Sequence, residues 1–292
     1  MVALYHTNRT IFKLTGSDTL SFLQGIMTND SETLAEKEIL YTVMLTSTGR
    51  FHFEYFLYQG DTKGAVYLDT PTIFAGDLLK RLRLFKLRSD VTIEDISDHA
   101  HVVTYHDIPP PSDSFAFQDP RHLNLGYRGL IFGDRPKEGK GTYKEDESYY
   151  TQLCLKNCIP RAGFELLPEK TIPLEANLEE LNALCFTKGC YLGQELTART
   201  KHQGMVRKKL YPVFIEGDVS HEMIQGGLTI YDGDRKIGVL LSHEKGIGIA
   251  KIRLEDVNSD DKETPKTWQG IVKGAKIECC KITHSPSKEP PK

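Results

Sequence analysis

Cys190 is the side chain of this sequence that most directly suggests chemistry. It stands between Gly189 and Gly193, and a helix is predicted to begin just after it and to end near residues 202–204. The unpaired amides of a helix N-terminus favour an ionised thiol, and Lys188 would add to this effect. A thiolate attacks electrophiles and binds metal ions. The alternative interpretation is a small buried side chain that packs beneath the helix, which is a common role of free cysteines.

The other five cysteines are predicted to be packing residues with free thiols in a reducing compartment. They are Cys154, Cys158, Cys185, Cys279 and Cys280. The first two stand four apart on a predicted helix, but two ligands do not make a metal site, and the sequence contains no Cys-x-x-Cys pair. The last two are neighbours on a predicted strand and point to opposite faces. A cluster bound by Cys190 would therefore take its other ligands from a partner or a small thiol.

The composition excludes several classes of protein. The chain has 292 residues, and 37 Lys and Arg against 40 Asp and Glu give a formal net charge of −3. Such a small charge argues against a protein that coats nucleic acid through its overall field. The sequence contains no run of about 18 apolar residues that would predict a membrane-spanning helix. Length and composition instead predict a globular protein of two or three domains.

The elements that must position Cys190 are predicted from hydrophobic spacing and turn signals. Helices are expected after Ser17 and after Pro71, and later over 146–158. Strands are expected at 40–45, 51–58, 64–69 and 91–96. Helices that cover one face of a largely antiparallel sheet indicate an α+β fold.

Two further regions complete the predicted organisation. Asn177 and Glu180 have the spacing of a capping box, which predicts a short helix from Leu178. Short strands separated by glycine-rich turns are expected at 209–216, 228–231, 236–241, 247–252 and 276–283. They indicate a small antiparallel barrel or sandwich.

The chain is therefore expected to divide into two folded parts and a tail. The core is predicted over 1–207, with an internal break near 97–112, where three prolines follow one another. The C-terminal β-domain is predicted over 208–284. The tail, 285–292, is rich in proline and charge and is expected to be disordered.

Several short motifs resemble those of the YgfZ family, folate-binding relatives of the glycine-cleavage aminomethyltransferase (GcvT). The most specific is Lys188-Gly189-Cys190-Tyr191-Leu192-Gly193-Gln194-Glu195. Further matches are Phe22-Leu23-Gln24-Gly25, Gly49-Arg50, Asp119-Pro120-Arg121 and Leu125-Gly126-Tyr127-Arg128. The runs 195–200 and 207–210 are most similar to the eukaryotic mitochondrial branch of the family, which acts late in iron–sulfur cluster assembly.

The resemblance implies an aminomethyltransferase-like core of two intertwined α+β halves around a central pocket, with a C-terminal antiparallel β-barrel. It implies tetrahydrofolate as the ligand of that pocket and maturation of [4Fe–4S] proteins as the role. Cys190 would supply a thiolate to a [2Fe–2S] or [4Fe–4S] cluster shared transiently with an A-type carrier protein. The implied location is the mitochondrial matrix. A member of that branch is expected to carry an arginine-rich presequence, and the first ten residues here are not of that type.

The resemblance also implies a set of folate-binding residues: Glu54, Glu175, Asn177, Tyr191 and Arg199. Glu54 lies near the strand position where the transferases carry a catalytic aspartate, and an outward-facing strand glutamate is the alternative interpretation. Glu175 matches a pocket glutamate whose carboxylate would accept hydrogen bonds from the pterin. A partly exposed loop acid is the alternative there.

Arg199 begins a basic cluster with three open interpretations. The cluster continues with Lys201, His202, Arg207, Lys208 and Lys209. Its charges are simply solvated, or they bind the carboxylate tail of folate, or they bind an acidic partner protein. The stretch has no interleaved aromatic residues, which argues against nucleic acid as the partner.

Three functions stay open on the sequence alone. The first is the tetrahydrofolate-binding assembly factor just described. The alternative is a tetrahydrofolate-dependent aminomethyl or one-carbon transferase, against which stands a glutamate, Glu54, where the transferases carry aspartate. The third is a non-catalytic interaction module with a vestigial folate pocket. The sequence does not decide whether the protein turns over a substrate.

Overall fold

The structure is a computed structural model that describes residues 2–60, 64–135, 143–204, 206–216, 219, 224, 227–257, 267–272 and 275–284, the last two ranges as backbone only. The chain divides into two compact units. Unit one comprises Met1–Glu147, Pro168–Lys170 and Leu181–Ala198, and unit two comprises Ser148–Leu167, Thr171–Glu180 and Arg199–Lys292. The predicted domain boundary at 207/208 stays a prediction, and the tail expected to be disordered, 285–292, lies outside the described residues.

Unit one contains an antiparallel sheet of five strands with helices on one face. The strands are β2 (Arg9–Thr15), β3 (Ile39–Leu45), β4 (Phe51–Gln59), β5 (Val66–Pro71) and β6 (Thr92–Asp95), in the order β3-β4-β5-β2-β6. The helices are α1 (Thr19–Ile26), α2 (Leu34–Lys37) and α3 (Thr72–Lys86). Leu23, Tyr55 and Leu78 are buried in the core between helices and sheet. The predicted hairpin and both predicted helices of this region are confirmed.

The second sheet of unit one was not predicted from the sequence. Its strands are β1 (Val2–His6), β7 (Ala100–His106), β8 (Phe115–Gln118) and β9 (Tyr127–Phe132), all antiparallel in the order β1-β7-β9-β8. Aromatic side chains join the two sheets, because the ring of Phe115 contacts both Tyr58 and Tyr67 of the first sheet. These contacts place β8 and β9 against β4 and β5, the strands that carry the buried polar residues described below.

Unit two contains a closed antiparallel barrel, as the resemblance implied. The strands are β10 (Lys208–Glu216), β11 (Leu228–Asp232), β12 (Arg235–Glu244), β13 (Ile247–Arg253), β14 (Thr267–Val272) and β15 (Ala275–His284), in the closed order β10-β13-β12-β11-β14-β15. Val213, Ile230 and Leu240 are buried in the barrel core. Strand β14 was missing from the sequence prediction, and it closes the ring between β11 and β15. The other helices are α4 (Glu147–Lys156), α5 (Gln194–His202) and α6 (Leu254–Val257).

Two predicted helix starts are wrong. Asn177 does not begin a helix: it follows a 3₁₀ turn over Pro173–Ala176 and has φ +57°, a left-handed conformation that ends a helix. Helix α5 begins at Gln194 rather than directly after Cys190. The delay has a backbone cause, because Gly193 has φ +79°, outside the helical region.

Candidate functional site

The segment that carries Cys190 is a loop over residues 181–193, here called the signature loop. It is hydrogen-bonded to the stretch that follows helix α1. The backbone N–H of Cys185 donates to the carbonyl of Thr28 at 2.9 Å, and the hydroxyl of Thr28 donates to the carbonyl of Ala183 at 2.7 Å. Thr28 is fully buried. These bonds fix the first half of the signature loop without any regular secondary structure.

Lys188 is the main anchor of the signature loop. Its ammonium donates to the carbonyls of Gln24, Met27 and Asn29, each at 2.7 Å. An ammonium has three protons, so all of them are used, and the carbonyls that α1 leaves open at its C-terminal end gain a donor. The side chain is 8% exposed, and this burial lowers the pKa of Lys188 to about 8.

Gly193 fixes the other end of the signature loop against the β3–β4 hairpin. A Cβ atom on Gly193 would lie 2.4 Å from the carbonyl oxygen of Thr46, and one on Gly49 would lie 3.1 Å from the carbonyl oxygen of Gly193. Both glycines also have positive φ, +79° and +68°. The hairpin turn and the start of α5 therefore approach more closely than side chains would permit.

Cys190 is solvent-exposed between these two anchors. It is the exposed thiol among the four cysteines whose side chains the structure describes, since Cys154 is buried and Cys158 and Cys185 are half-buried. The alternative of a cysteine packed beneath a helix is therefore wrong. The prediction that Cys185 is a packing residue needs the correction that its thiol is partly accessible.

Of the two local causes proposed for an ionised Cys190, the helix N-terminus is wrong, and the effect of Lys188 stays a prediction. Helix α5 begins four residues later, so its N-terminal amides do not follow the thiol directly. The Lys188 ammonium is held by three carbonyls of the α1 end. The signature loop leaves the Cys190 thiol accessible to solvent and fixes its position. Within the described part of the chain, no three His, Cys, Asp or Glu side chains are grouped to hold a metal ion.

Tyr191 lies behind Cys190 in the interior. It is 7% exposed, and the Lys188 ammonium stands 5.1 Å from its ring centroid, within cation–π range. Burial raises the pKa of Tyr191 to about 12. Its hydroxyl has no hydrogen-bond partner among the described residues, which is uncommon for a buried polar atom. Its predicted role in cofactor binding stays a prediction.

Glu54 lies on the sheet face opposite the helices of unit one, and this face is also buried at Glu54, which is 5% exposed. The alternative of a solvent-facing glutamate is therefore wrong. The Tyr41 hydroxyl donates to its Oε2 at 2.8 Å, and Nη1 of Arg9 lies 3.7 Å from its Oε1. The same sheet face carries Phe56, which lies beneath two arginines. Alternation along β4 explains this, because even-numbered side chains point away from the core that Tyr55 enters.

Glu54 belongs to a larger group that the sequence did not indicate, here called the buried ionic cluster. Its members are Arg9, Glu54, Asp69, Asp119, Arg121 and Arg128. Asp69 is fully buried and receives Nε of Arg9 at 2.5 Å and Nη2 of Arg128 at 2.5 Å. Burial alone would raise the pKa of Asp69, but Arg128 and Arg9 hold it below its ordinary value.

The rest of the buried ionic cluster is equally well compensated. Asp119 accepts two hydrogen bonds from the Arg121 guanidinium, at 3.0 and 2.7 Å. The guanidinium Cζ atoms of Arg121 and Arg128 lie 4.7 and 4.2 Å from the Phe56 ring centroid. Three cations and three anions therefore balance inside unit one. Asp119, Arg121 and Arg128 stood in motifs of the resemblance, but nothing in their spacing shows that they meet Asp69.

Two histidines extend this polar region. The hydroxyl of Thr104 bridges Nε2 of His6, at 2.9 Å, and Nε2 of His106, at 2.8 Å. All three side chains are buried. Burial lowers the pKa of His106 to about 4, so the imidazole is neutral at physiological pH. No sequence motif indicates this bridge, because its two histidines lie on different strands, β1 and β7.

The remaining predicted folate residues belong to unit two. Glu175 is half-buried and lies 3.8 Å from the Lys251 ammonium. The amide side chain of Asn177 pairs with the backbone of Leu210, donating to its carbonyl at 2.9 Å and accepting from its N–H at 3.2 Å. This pairing ties the 3₁₀ turn to strand β10. Roles in folate binding stay predictions for Glu175, Asn177 and the exposed Arg199.

Part of the basic cluster around Arg199 is neutralised within unit two. Lys201 pairs with Glu179, and Lys209 pairs with Glu180. Arg199 itself is exposed in the last turn of α5. The interpretation as solvated surface charge therefore applies to at least part of this cluster.

Comparison with known proteins agrees with this architecture. Residues 207–283 match the family model of the CAF17 C-terminal beta-barrel domain. The crystal structure of the glycine cleavage system aminomethyltransferase T from Bartonella henselae aligns with a TM-score of 0.67 at 11% identity, covering 99% of this chain and 86% of that one. This likeness shows the fold, an aminomethyltransferase-like core with a C-terminal barrel. No helix among the described residues is long and apolar enough to cross a membrane.

Full-length relatives define the family. The mitochondrial iron–sulfur cluster assembly factor IBA57 of Mus musculus is 30% identical over 85% of this chain and 76% of its own length. The homologue from Mycosarcoma maydis is 31% identical over 91% and 68%, and the Homo sapiens protein is 28% identical over 85% and 76%. All three are named as mitochondrial, which supports a mitochondrial location for this chain. By this similarity, the chain belongs to the IBA57 family of iron–sulfur cluster assembly factors.

Proposed function

We propose that this protein supports the assembly of iron–sulfur proteins by presenting the Cys190 thiolate as one ligand of a cluster shared with an A-type carrier protein. The observation that carries the proposal is the placement of Cys190. Its side chain is exposed, while Lys188 and Gly193 fix the signature loop on either side of it. The names of the relatives support the iron–sulfur role, and the exposed thiol supports the residue.

The cluster would be cargo rather than a resident cofactor. A [2Fe–2S] or [4Fe–4S] cluster takes four ligands, and thiolates are the usual ones. Of the two thiols in the signature loop, the exposed Cys190 would be a ligand and the half-buried Cys185 would not. The remaining ligands would come from the carrier. Because the signature loop is anchored at both ends, the thiol would be held in place before the partner arrives, which reduces the ordering cost of binding.

Reconstitution of the protein with an A-type carrier tests the thiol directly. The mixture should develop the visible absorption of an iron–sulfur cluster, and Cys190→Ser should abolish it. Cys185→Ser is the matched control, because it removes a less accessible thiol from the same loop, and the absorption should persist. In cells lacking the native protein, Cys190→Ser should fail to restore aconitase-type activity. Full restoration by that variant would refute the role of the thiol.

We propose further that tetrahydrofolate binds unit one at Glu54. The carboxylate fits such a ligand, because it offers about four acceptor positions. Among the described residues, the Tyr41 hydroxyl donates to it and Arg9 lies nearby, so acceptor positions are left for a ligand. The amino group and the ring N–H of a pterin would donate hydrogen bonds to such an acceptor. When bound, tetrahydrofolate would supply one-carbon chemistry.

Calorimetric titration with tetrahydrofolate tests this second proposal independently of the thiol. Glu54→Gln keeps the shape but removes the charge, and it should weaken binding by about tenfold. Glu175→Gln, measured in parallel, tests the separate prediction for that residue. Wild-type affinity in Glu54→Gln would exclude Glu54 as a ligand. Methylene-tetrahydrofolate formation from an aminomethyl-lipoyl carrier would instead favour the transferase alternative.

A further inference from the structure

The outward face of helix α3 in unit one carries exposed aliphatic side chains that neither cluster binding nor folate binding explains. Its residues Ile73 and Leu84 are 70% and 60% exposed, and Leu87, just after the helix, is 81% exposed. The opposite face of the helix already packs into the core of unit one. Single exposed aliphatic side chains are ordinary, but three along one side of one helix form a patch.

The segment that carries this face is strongly basic. Residues 72–88 contain five basic side chains, Lys80, Arg81, Arg83, Lys86 and Arg88, and one acidic side chain, Asp77. Five minus one gives a local charge of +4, in a chain whose net charge is −3. Asp77 pairs with Lys80 at 2.9 Å. Among the described residues, none lies within ion-pairing distance of Arg81, Arg83 or Arg88, so these guanidinium groups stay available to a partner.

A groove runs beside this face, with a volume of about 470 Å³. Its apolar lining comes from Phe53, Phe74 and Leu84, and polar groups on its rim include Arg81 and Glu169. A volume of several hundred Å³ accommodates a bulky side chain. Leu84 is both part of the exposed patch and part of the groove, so the two features form one continuous surface.

The spacing of the outward residues is that of a helix–helix contact. Ile73, Asp77, Lys80 and Leu84 follow one another at intervals of four, three and four residues, and Leu87 lies just beyond the end of the helix. This alternation keeps a stripe in line with the axis of a second helix that packs along it. Arginines lie beside the stripe rather than on it, where they would face the flanks of such a helix.

We propose that this surface of α3 docks an acidic amphipathic helix of a partner protein, and that it does so independently of the Cys190 site. Aliphatic side chains of the partner would lie on the stripe and enter the groove, and its carboxylates would pair with Arg81, Arg83 and Arg88. An anionic membrane surface fits less well. It has no side chain to fill the groove.

The probe is a labelled amphipathic peptide of about 20 residues, with leucines on one face and glutamates on the flanks. Its binding to the full-length protein is measured by fluorescence anisotropy. Reversing two charges, in the double variant R81E/R83E, should weaken binding by at least about tenfold, and Leu84→Ser by about fivefold. All three altered side chains are exposed, so the variants should keep the melting temperature of the wild type.

Matched controls separate this docking from general charge attraction. Lys37→Glu changes an exposed charge on α2 and should leave peptide binding unaltered. A peptide with serines in place of leucines should bind at least about tenfold more weakly. Equal affinity of R81E/R83E and wild type, or of the serine and leucine peptides, would overturn the proposal. Binding to phosphatidylglycerol vesicles without binding to the peptide would overturn it in favour of a lipid surface.

Discussion

Two regions of unit one bury cations by opposite means. In the buried ionic cluster, arginines face carboxylates, and each charge has an ion of opposite sign within 4 Å. In the signature loop, one ammonium donates its hydrogen bonds to backbone carbonyls and has no carboxylate as a hydrogen-bond partner among the described residues. The first arrangement ties two sheets together through many partners. The second holds a loop through a single side chain. Removing a charge should therefore lower the free energy of unfolding by different amounts in the two regions, and should loosen more of unit one in the first than in the second.

Removing Asp69 should have the largest effect. Asp69→Ala leaves Arg9 and Arg128 buried without their anion, and breaking a buried ion pair in this way costs about 3–5 kcal/mol. Urea unfolding followed by circular dichroism measures the loss. Asp77→Ala, which removes an exposed ion pair on α3, is the control and should leave the free energy of unfolding almost unchanged. Similar losses in both variants would contradict the importance of burial.

Removing Lys188 should have a smaller and more local effect. Lys188→Met leaves three carbonyls without their charged donor, which should cost about 2–3 kcal/mol. Hydrogen exchange should accelerate at Cys185 and Leu192, whose amides bond to the α1 region, while the sheets keep their protection. Lys37→Met, at an exposed lysine, should change nothing. Uniform acceleration throughout unit one would erase the distinction between the two regions.

Adding one methyl group at Gly193 should displace the signature loop without altering any charge. Gly193→Ala forces a side chain into a left-handed conformation and against the Thr46 carbonyl, at a cost of about 1–2 kcal/mol. Reconstituted cluster absorption should fall with it, because Cys190 shifts. Gly189→Ala is the internal control: a Cβ there meets nothing within 4 Å. If the two variants behave alike, Gly193 is not a steric requirement.

The smallest effect should come from pH. The pKa of His106 is lowered to about 4 by burial, whereas an unfolded histidine titrates near about 6.5. Between these values the unfolded state binds more protons, so stability rises with pH and falls on acidification. His106→Gln should remove about 1 kcal/mol of this dependence between about pH 6.5 and about pH 5.5. Melting temperatures of both proteins across this range provide the measurement, and parallel curves would exclude His106.

The α+β core and the C-terminal barrel were within reach of the sequence because their signals are local. The hairpin of β3 and β4 combines branched and aromatic strands with a short turn, and these features need no knowledge of distant residues. Strand β14 was not predicted because its strand pattern is interrupted, with a register shift between Gln269 and Ile271. Asn177 misled because asparagine is favoured both at helix starts and in left-handed backbone at helix ends.

The site was less accessible than the fold. Cys190 could be singled out from its motif, but the direction of Lys188 could not, since its acceptors precede it by about 160 residues and carry no side-chain signal. The buried ionic cluster was hidden for a related reason. Asp69 and Arg128 are 59 residues apart and meet only because β5 and β9 belong to sheets that pack together.

The three acceptors of Lys188 belong to the main chain, and this has a consequence for how the family can be compared. A carbonyl is the same whatever residue bears it, so Gln24, Met27 and Asn29 can be exchanged without releasing the lysine. No second position need change when this one does. Methods that infer contacts from correlated substitutions will therefore pass over the bond that holds the cysteine loop, even in a very deep set of related sequences.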